Sequence, residues 1–364
     1  MRTVGVEEEL LLVDPGSGAP VAVAGSVLAH AASRSADDPE GEIEAELQQQ
    51  QIEVETTPTT SLADLGSQVR DWRRRADELG RGSGARAVAL ATSPLPVDPR
   101  TTVKARYQAM IAQFGLTTLE QLTCGCHVHV GVESDDEGAA VINRIQPWLP
   151  SLLALSANSP YWDGRDSGYA SYRSQAGMRF PTTGPTRAFS SGADYRDYVD
   201  DLVATGVPLD GDMIYFYARL SRHYPTVEVR IADICARTVD TVMIAGLVRA
   251  LVDTAAAAWR AGEPAPATDP EPLRLATWRA GRSGLAGDLI DPAGGRPQPA
   301  AQVIDALLEH VDAALGANGD RDTVHAEVER VRTEGNGADR QRAVLDRTGD
   351  LADVVRTAAE VTQN

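Results

Sequence analysis

The stretch that decides the fold is Val4-Gly5-Val6-Glu7-Glu8-Glu9-Leu10-Leu11-Leu12-Val13-Asp14. Its apolar residues predict a β-strand, and three consecutive carboxylates inside it are costly to bury without partners. Side chains alternate along a strand, so Glu7 and Glu9 share one face at about 6–7 Å, a spacing that suits cation binding. Glu8 falls on the apolar side with Val6 and Leu10, so it needs a partner such as an arginine, or the strand bulges there. An exposed edge strand with its acids in water is the alternative.

The composition limits the class of protein. The chain has 364 residues, and 43% of them are hydrophobic, which is ample for a buried core. A formal charge of −18, from 34 basic and 52 acidic residues, argues against nucleic acid or an anionic membrane as a partner. We expect no apolar run to be long enough to span a bilayer, and no signal peptide at the start. The cysteine count of 3 argues against a disulfide framework. These features predict a cytoplasmic protein.

Lys104 is the single lysine of the chain, and the remaining positive side chains are arginines. A Walker loop needs a lysine after its glycines, and pyridoxal phosphate needs a lysine for its Schiff base. If the protein handles ATP, metal ions and arginines must therefore hold the nucleotide.

Three later segments, residues 46–56, 123–132 and 226–233, repeat the pattern of apolar residues on one face and polar residues on the other. The polar pairs on the four strands are Glu7/Glu9, Glu53/Glu55, His127/His129 and Glu228/Arg230. Strands that share this pattern are predicted to form one curved, mostly antiparallel sheet with helices behind its apolar face. The fold class is therefore predicted to be α+β.

The polar face of such a sheet would gather carboxylates, imidazoles and a guanidinium. Oxygen ligands with one nitrogen suit Mg²⁺ or Mn²⁺ better than Zn²⁺, and such ions bridge phosphate oxygens. Plainer interpretations exist, because a lone pair of histidines is often structural and Glu228 with Arg230 alone would be a surface ion pair. A zinc site at Cys124 and Cys126 is disfavoured, because both fall on the apolar face. The coincidence of four patterns favours a metal site.

The helices carry a second set of expectations. Ser61 is predicted to cap a helix that continues to about residue 79, and its basic run Arg73-Arg74-Arg75 is interpreted as a solvated face. A long apolar helix is predicted from Thr238 to about Ala261, packed under the sheet.

Residues 158–195 lack any periodicity, which is typical of a lid or a binding loop. No strong domain boundary is visible. We therefore expect a single domain over residues 1–364, in which residues 300–364 form a helical C-terminal extension packed on the rest.

Six motifs together resemble a known family. They are Gly5-Val-Glu-Glu-Glu-Leu, Gln51-Ile-Glu-Val-Glu-Thr, Gly125-Cys-His-Val-His-Val-Gly, Leu155-Ser-Ala-Asn-Ser-Pro-Tyr-Trp-Asp-Gly, Ser171-Tyr-Arg and Pro225-Thr-Val-Glu-Val-Arg-Ile-Ala-Asp. In this order they resemble the type 2 glutamate–cysteine ligases, also called carboxylate-amine ligases. The resemblance implies a glutamine-synthetase-like fold that uses ATP with Mg²⁺ or Mn²⁺. It also implies the chemistry: ATP phosphorylates the side-chain carboxylate of glutamate, and an amine such as cysteine attacks the acyl phosphate.

The resemblance assigns roles position by position. The implied metal ligands are Glu7, Glu9, Glu53, His127 and Glu228. Arg230 is implied to contact the phosphates as a catalytic and nucleotide-binding residue, and Arg173 to hold the substrate α-carboxylate. His129 is assigned to the catalytic set, where it contacts substrate or supports a ligand, and Glu55 to the nucleotide-binding set. A homodimer is also implied.

Two other functions stay open. A binuclear metallohydrolase would use the same acids and histidines and would hydrolyse its substrate without a nucleotide. A non-catalytic relative would bind a nucleotide or an amino acid without turnover. No motif identifies the amine acceptor or the carboxylate substrate.

Overall fold

The computed structural model describes residues 1–32, 41–267 and 269–364. The strands in these ranges are β1 (Val4–Val13), β2 (Glu42–Ala45), β3 (Gln51–Glu55), β4 (Arg86–Val88), β5 (Gly125–Gly131), β6 (Tyr161–Trp162), β7 (Arg165–Asp166), β8 (Ala218–Leu220), β9 (Thr226–Asp233), β10 (Asp288–Ile290) and β11 (Pro297–Pro299). The helices are α1 (Ala24–Ala31), α2 (Leu62–Gly82), α3 (Ala105–Phe114), α4 (Leu116–Leu119), α5 (Asp135–Ile145), α6 (Leu149–Ser156), α7 (Arg173–Gly177), α8 (Gly192–Ala204), α9 (Thr238–Arg260), α10 (Pro270–Ser283), α11 (Ala300–Asn318), α12 (Arg321–Glu334), α13 (Gly337–Thr348) and α14 (Leu351–Val361).

β1 lies in the interior of an antiparallel sheet. The strand order is β2-β3-β1-β5-β9-β8, and β4 also pairs with β1. Because β1 has neighbours on both sides, the edge-strand alternative is wrong. The four strands predicted from their alternation, β1, β3, β5 and β9, are consecutive in this order, so the predicted antiparallel α+β architecture is confirmed.

The antiparallel register aligns the polar residues across the sheet. The directly paired residues are Glu7 with Glu55, Glu9 with Glu53, Glu7 with His127, and His129 with Glu228. Directly paired residues point to the same face of a sheet. The register therefore gathers the acids and the imidazoles on one face.

A β-bulge interrupts the pairing of β5 with β9. The register shifts between Cys126 and Val128, so two residues of β9, Arg230 and Ile231, lie opposite His127. Bulges of this kind redirect side chains next to functional sites. Ile231 belongs to the main hydrophobic core, as the alternation predicted, and it also lines the same cavity as Arg230.

The helices and loops follow the predictions in part. The hydroxyl of Ser61 accepts a hydrogen bond of 3.2 Å from the backbone N–H of Asp64, which confirms the predicted cap of α2. The long helix is also confirmed, since α9 spans Thr238–Arg260. The aperiodic residues 158–195 contain β6, β7, α7 and the start of α8, because short elements leave no periodic pattern.

Glu8 forms a buried ion pair with Arg73 of α2. The two side chains are 2% and 0% exposed, and the guanidinium donates to both carboxylate oxygens, at 2.7 and 2.8 Å. Thr241 of α9 donates to the same carboxylate at 2.7 Å, and Arg73 donates to the carbonyl of Cys235 at 2.7 Å. The expected arginine partner of Glu8 is therefore present. The interpretation of Arg73 as solvated was wrong, and Arg74 beside it does face water.

α9 is the central helix of the main hydrophobic core. By length and composition it passes as a membrane-spanning helix, so the expectation that no apolar run reaches that length was wrong. However, 78% of its most apolar window is buried inside the fold. α12 packs closely on it, because a Cβ at Gly246 would lie 2.7 Å from a methyl carbon of Val324. α9 therefore serves as a core helix of this fold.

Replacing Arg73 by methionine should lower the free energy of unfolding by about 3–5 kcal/mol, because the Glu8 carboxylate would stay buried without its cation. Chemical denaturation followed by circular dichroism measures this change. Arg74→Met on the exposed side of the same helix is the control and should change the free energy of unfolding by less than about 0.5 kcal/mol. Equal losses in the two variants would contradict the role of the ion pair.

Candidate active site

The polar face of the sheet borders a cavity of about 370 Å³. Its lining includes five carboxylates and two histidines, which are Glu7, Glu9, Glu46, Glu53, Asp212, His127 and His223. It also includes four arginines, which are Arg106, Arg173, Arg219 and Arg230. Aromatic side chains such as Tyr107, Phe180 and Tyr215 complete the wall. The cavity thus combines negative, positive and apolar surfaces, as expected of a site for a charged molecule with an apolar part.

Three groups of acids and histidines in the described residues have ligand atoms within 4.8 Å of one another. They are Glu7 with His129 and Glu228, Glu7 with Glu53 and His127, and Glu9 with Glu46 and Glu53. Because Glu7 and Glu53 each belong to two groups, the three groups form one continuous row. Carboxylate oxygens with a minority of imidazole nitrogens are a donor set that fits Mg²⁺ or Mn²⁺.

At one end of this row the carboxylates repel one another. Burial and the charges of Glu7 and Glu46 raise the pKa of Glu53 well above its usual range. Burial and the charge of Glu9 likewise raise the pKa of Glu46 to about 7. A cation among these oxygens would offset both effects, since an opposite charge within a few ångströms favours the ionised carboxylate. This concentration of negative charge is the observation that fits the group to a metal site.

At the middle of the row Glu7 contacts both histidines. Its two oxygens lie 2.9 Å from Nδ1 of His127 and 2.8 Å from Nε2 of His129. Burial opposes ionisation of Glu7, but these contacts hold its pKa well below the usual range. Burial and the charge of Arg230 lower the pKa of His127, which favours the neutral imidazole that ligates metals. Burial also acts to lower the pKa of His129, but its contact with Glu7 raises that pKa overall.

At the other end Glu228 is held by two arginines. Arg219 of β8 donates to both carboxylate oxygens, at 2.6 and 3.2 Å, and Arg230 forms a second ion pair with the same group. Burial opposes ionisation, but the two guanidinium charges lower the pKa of Glu228 to about 2. Glu228 is therefore a carboxylate at neutral pH, and a metal ion that took it as a ligand would share it with both arginines.

Arg173 enters the cavity from the start of α7. Its guanidinium donates to the carbonyls of Ile231 and Arg230, at 3.3 and 3.2 Å, and lies 3.8 Å from Asp233. A Cβ at Gly125 would lie 2.2 Å from its Nη2 atom, so only glycine at that position leaves room for the guanidinium. The glycine that precedes the histidines in the sequence therefore serves the approach of this arginine.

Most of the residues predicted for the site meet in the cavity. Those in its lining are Glu7, Glu9, Glu53, His127, Arg173 and Arg230. His129 and Glu228 join the row of ligands through Glu7. Glu55 lies outside the lining and outside the three groups, beside Glu7 and Glu42, and its contact with a nucleotide stays a prediction. Burial and the charge of Glu7 raise the pKa of Glu55 to about 7.

Glu46 and Arg219 are site residues that the sequence pattern missed. Glu46 lies in the turn between β2 and β3, where strand alternation does not assign a face. Arg219 lies on β8, which has three residues and is too short to show an alternating pattern. The only sequence feature that points to Glu46 is its closeness to the acids of the following strand.

Solved structures define the class of fold. A glutamate–cysteine ligase from Francisella tularensis in complex with AMP matches with a TM-score of 0.69 at 12% identity, over 100% of this chain and 89% of that chain. A bifunctional glutathione synthetase from Pasteurella multocida matches with a TM-score of 0.69 at 17% identity. The match covers 100% of this chain and 52% of the Pasteurella chain, so the chain spans about half that protein's length. The protein therefore has the fold of the glutamate–cysteine ligases and glutathione synthetases.

Sequence comparison identifies the family within this class. A family model described as Glutamate-cysteine ligase family 2 matches residues 3–357. A Streptomyces avermitilis protein provisionally named glutamate–cysteine ligase 2-1 is 51% identical over 363 residues, with 100% of both chains covered. A provisionally named glutamate–cysteine ligase 2 of Streptomyces coelicolor is 50% identical, over 100% of this chain and 99% of that protein. The chain belongs to the glutamate–cysteine ligase family 2. This membership confirms the resemblance and supports a ligase that acts on small molecules.

Glu53→Gln should weaken the binding of Mn²⁺ by at least about tenfold, because Glu53 belongs to two of the three ligand groups. Electron paramagnetic resonance of free Mn²⁺ measures the affinity. Glu44→Gln is the matched control, because Glu44 lies opposite Glu53 on β2, is exposed and belongs to none of the groups. It removes the same charge and should change the affinity by less than about twofold. Equal weakening by both variants would mean that Glu53 acts through its charge alone.

Proposed function

We propose that the protein is an ATP-dependent carboxylate–amine ligase of the glutamate–cysteine ligase type. The proposed reaction forms an amide bond through a γ-glutamyl phosphate. The observation that carries the proposal is the row of carboxylates and imidazoles, most of which line one cavity together with Arg230. Family membership supports the same class of reaction.

The row of ligands is the proposed binding site of Mg²⁺, or of Mn²⁺ in its place. The proposed ligands are Glu7, Glu9, Glu53, His127 and Glu228, to which the structure adds Glu46 as a candidate. Bound there, the ions would neutralise the phosphate oxygens of ATP and stabilise charge on the transferred group. The mutual repulsion of Glu9, Glu46 and Glu53 supports this assignment, because it is relieved by positive charge.

Arg230 is proposed to bind the phosphoryl group during its transfer from ATP to the substrate. In the first step a carboxylate oxygen of the substrate attacks the γ-phosphorus of ATP, and ADP leaves. In the second step the amine nitrogen attacks the acyl carbon, phosphate leaves, and the proton lost by the nitrogen goes to the departing phosphate. The Arg230 guanidinium lies 3.2 Å from Nδ1 of His127, beside the proposed ligands, where it would stabilise charge on the phosphoryl oxygens in both steps.

His129 is proposed to orient the carboxylate of Glu7. Nδ1 contacts the hydroxyl of Thr226 at 2.9 Å, which holds the ring, and Nε2 lies 2.8 Å from a carboxylate oxygen of Glu7. This geometry supports a role in fixing the orientation of a ligand carboxylate.

Arg173 is proposed to hold the α-carboxylate of the substrate. Two of its N–H groups donate to backbone carbonyls, which fixes the plane of the guanidinium at the cavity wall. The guanidinium has five N–H donors in a planar fork, and such a fork matches a carboxylate in a bidentate contact.

We also propose a cytoplasmic enzyme with one catalytic domain over residues 1–364. The packing of α11 and α12 into the same hydrophobic core as the sheet supports this organisation. The homodimer implied by the family resemblance stays a prediction.

The release of ADP tests the proposal directly. With Mg-ATP and glutamate, ADP release should rise when an amine is added, and cysteine is the first member of the amine panel. A coupled enzyme assay measures ADP, and omission of Mg²⁺ is the control. No amine-stimulated release across a broad panel of acids and amines would contradict the ligase. Metal-dependent hydrolysis without nucleotide would identify the hydrolase instead, and binding without turnover would identify the non-catalytic relative.

Arg230→Met should lower kcat by about 10²–10³-fold, because it removes a cation aimed at the transferred phosphoryl group. Arg222→Gln is the control, because Arg222 is 55% exposed and lies outside the cavity lining. Initial-rate kinetics at saturating ATP measure kcat for both variants. An unchanged kcat in Arg230→Met would remove this residue from the mechanism.

A further inference from the structure

α13 of the C-terminal region is joined to the segment of chain that follows α6. Gln341 on α13 is 6% exposed, and its amide nitrogen donates to the backbone carbonyl and to the side-chain oxygen of Asn158, at 2.9 and 2.7 Å. The backbone N–H of Ala338 donates to the carbonyl of Ala157 at 3.0 Å. A Cβ at Gly337 would lie 2.2 Å from the side-chain oxygen of Asn158, so the glycine permits this close approach.

Asn158 connects α13 to the end of the central sheet. Its amide nitrogen donates to the carbonyls of Ala89 and Ile234, at 3.0 and 2.9 Å. Its backbone N–H donates to the carboxylate of Asp233 at 2.8 Å. Since Gln341 occupies the remaining oxygen, the polar groups of this buried side chain are satisfied and hold it in one orientation.

Asp233 carries the connection from Asn158 to Arg173. The carboxylate is fully buried and accepts hydrogen bonds from the hydroxyls of Ser159 and Ser171, at 2.7 and 2.8 Å. The hydroxyl of Ser159 accepts from the backbone N–H of Arg173 at 3.0 Å. The carboxylate itself lies 3.8 Å from the guanidinium. The main chain of Arg173 is thus held by Ser159, which contacts Asp233, and its guanidinium lies beside the Asp233 carboxylate itself.

We propose that Gln341 is a positioning residue for the acid substrate, because it fixes Asn158, which together with Asp233 orients Arg173 in the cavity. The inference rests on the proposed function, in which Arg173 holds the substrate α-carboxylate. A bidentate contact between guanidinium and carboxylate depends on orientation, so a small displacement of Arg173 weakens it. The C-terminal region thereby takes part in substrate binding from outside the cavity.

Gln341→Met tests this role, because it keeps the length of the side chain and removes both hydrogen bonds to Asn158. The KM for glutamate should rise by on the order of tenfold, whereas kcat, the KM for ATP and the affinity for Mn²⁺ change by less than about twofold. Arg347→Gln on the exposed side of α13 is the matched control and should leave all four constants unchanged. An unchanged KM for glutamate in Gln341→Met would overturn the proposal.

Arg342→Gln weakens a second contact between α13 and the segment of chain that follows α6, with little risk to folding. It removes an ion pair of 2.8 Å with Asp166, in which the two side chains are 30% and 45% exposed. The KM for glutamate should rise in the same direction by a smaller factor. If Gln341→Met does not fold and Arg342→Gln leaves this KM unchanged, the proposal is overturned.

A double-mutant cycle distinguishes positioning from general destabilisation. Arg173→Lys should raise the KM for glutamate by itself, and Gln341→Met should add little in that background, because both changes act through the same guanidinium. Additive effects of the two substitutions on this KM would overturn the proposal.

Amide hydrogen exchange tests the connection without enzyme activity. In Gln341→Met, peptides that cover residues 171–177 should exchange faster than in the parent protein, and peptides of β1 should exchange at the same rate. Unchanged exchange at residues 171–177 would overturn the proposal. Faster exchange in a protein that shows no turnover with any acid would support the connection to Arg173 and would overturn the proposed function and the substrate role that rests on it.

Discussion

The structure depends on the register of β1, a strand that carries acids on both faces. A shift by one residue would place Glu7 and Glu9 in the apolar core and Glu8 in the cavity. The buried pair of Glu8 with Arg73 opposes this shift, because only one register gives Glu8 a buried cation and a hydroxyl from Thr241. Since β3 and β5 pair with β1, the same register fixes the position of every carboxylate and imidazole that those strands bring to the cavity.

Charge is distributed unevenly along the row of candidate metal ligands. At the end that holds Glu228 positive charge exceeds negative charge, because two arginines, Arg219 and Arg230, pair with this one carboxylate. The end that holds Glu46 and Glu53 has an excess of negative charge, and burial together with this charge raises the pKa of each of these acids. A divalent cation would therefore bind most favourably at this end, where it neutralises the excess negative charge. The positive side chains at the opposite end are left to attract anionic groups such as phosphates and carboxylates.

The sequence predicted those features that follow from strand alternation and missed those that depend on tertiary partners. Glu7 and His127 were assigned to one face because alternation in a strand of seven or more residues defines a face. Glu46 in a turn and Arg219 in a strand of three residues have no such pattern. Arg73 was misinterpreted because its burial depends on an ion pair with a buried carboxylate, which a local sequence pattern does not show. That partner lies 65 positions away in the chain, and its contact with Arg73 depends on the fold.

The position of α9 in the chain has a consequence for folding on the ribosome. This helix has the length and the apolar character of a membrane segment, and much of its cover comes from α11 and α12. Those two helices follow it in the sequence, so they emerge from the ribosome later than α9 does. During this interval the nascent chain exposes a long apolar helix, and chaperone binding or aggregation competes with folding. The core around α9 is therefore complete only after α11 and α12 have been synthesised.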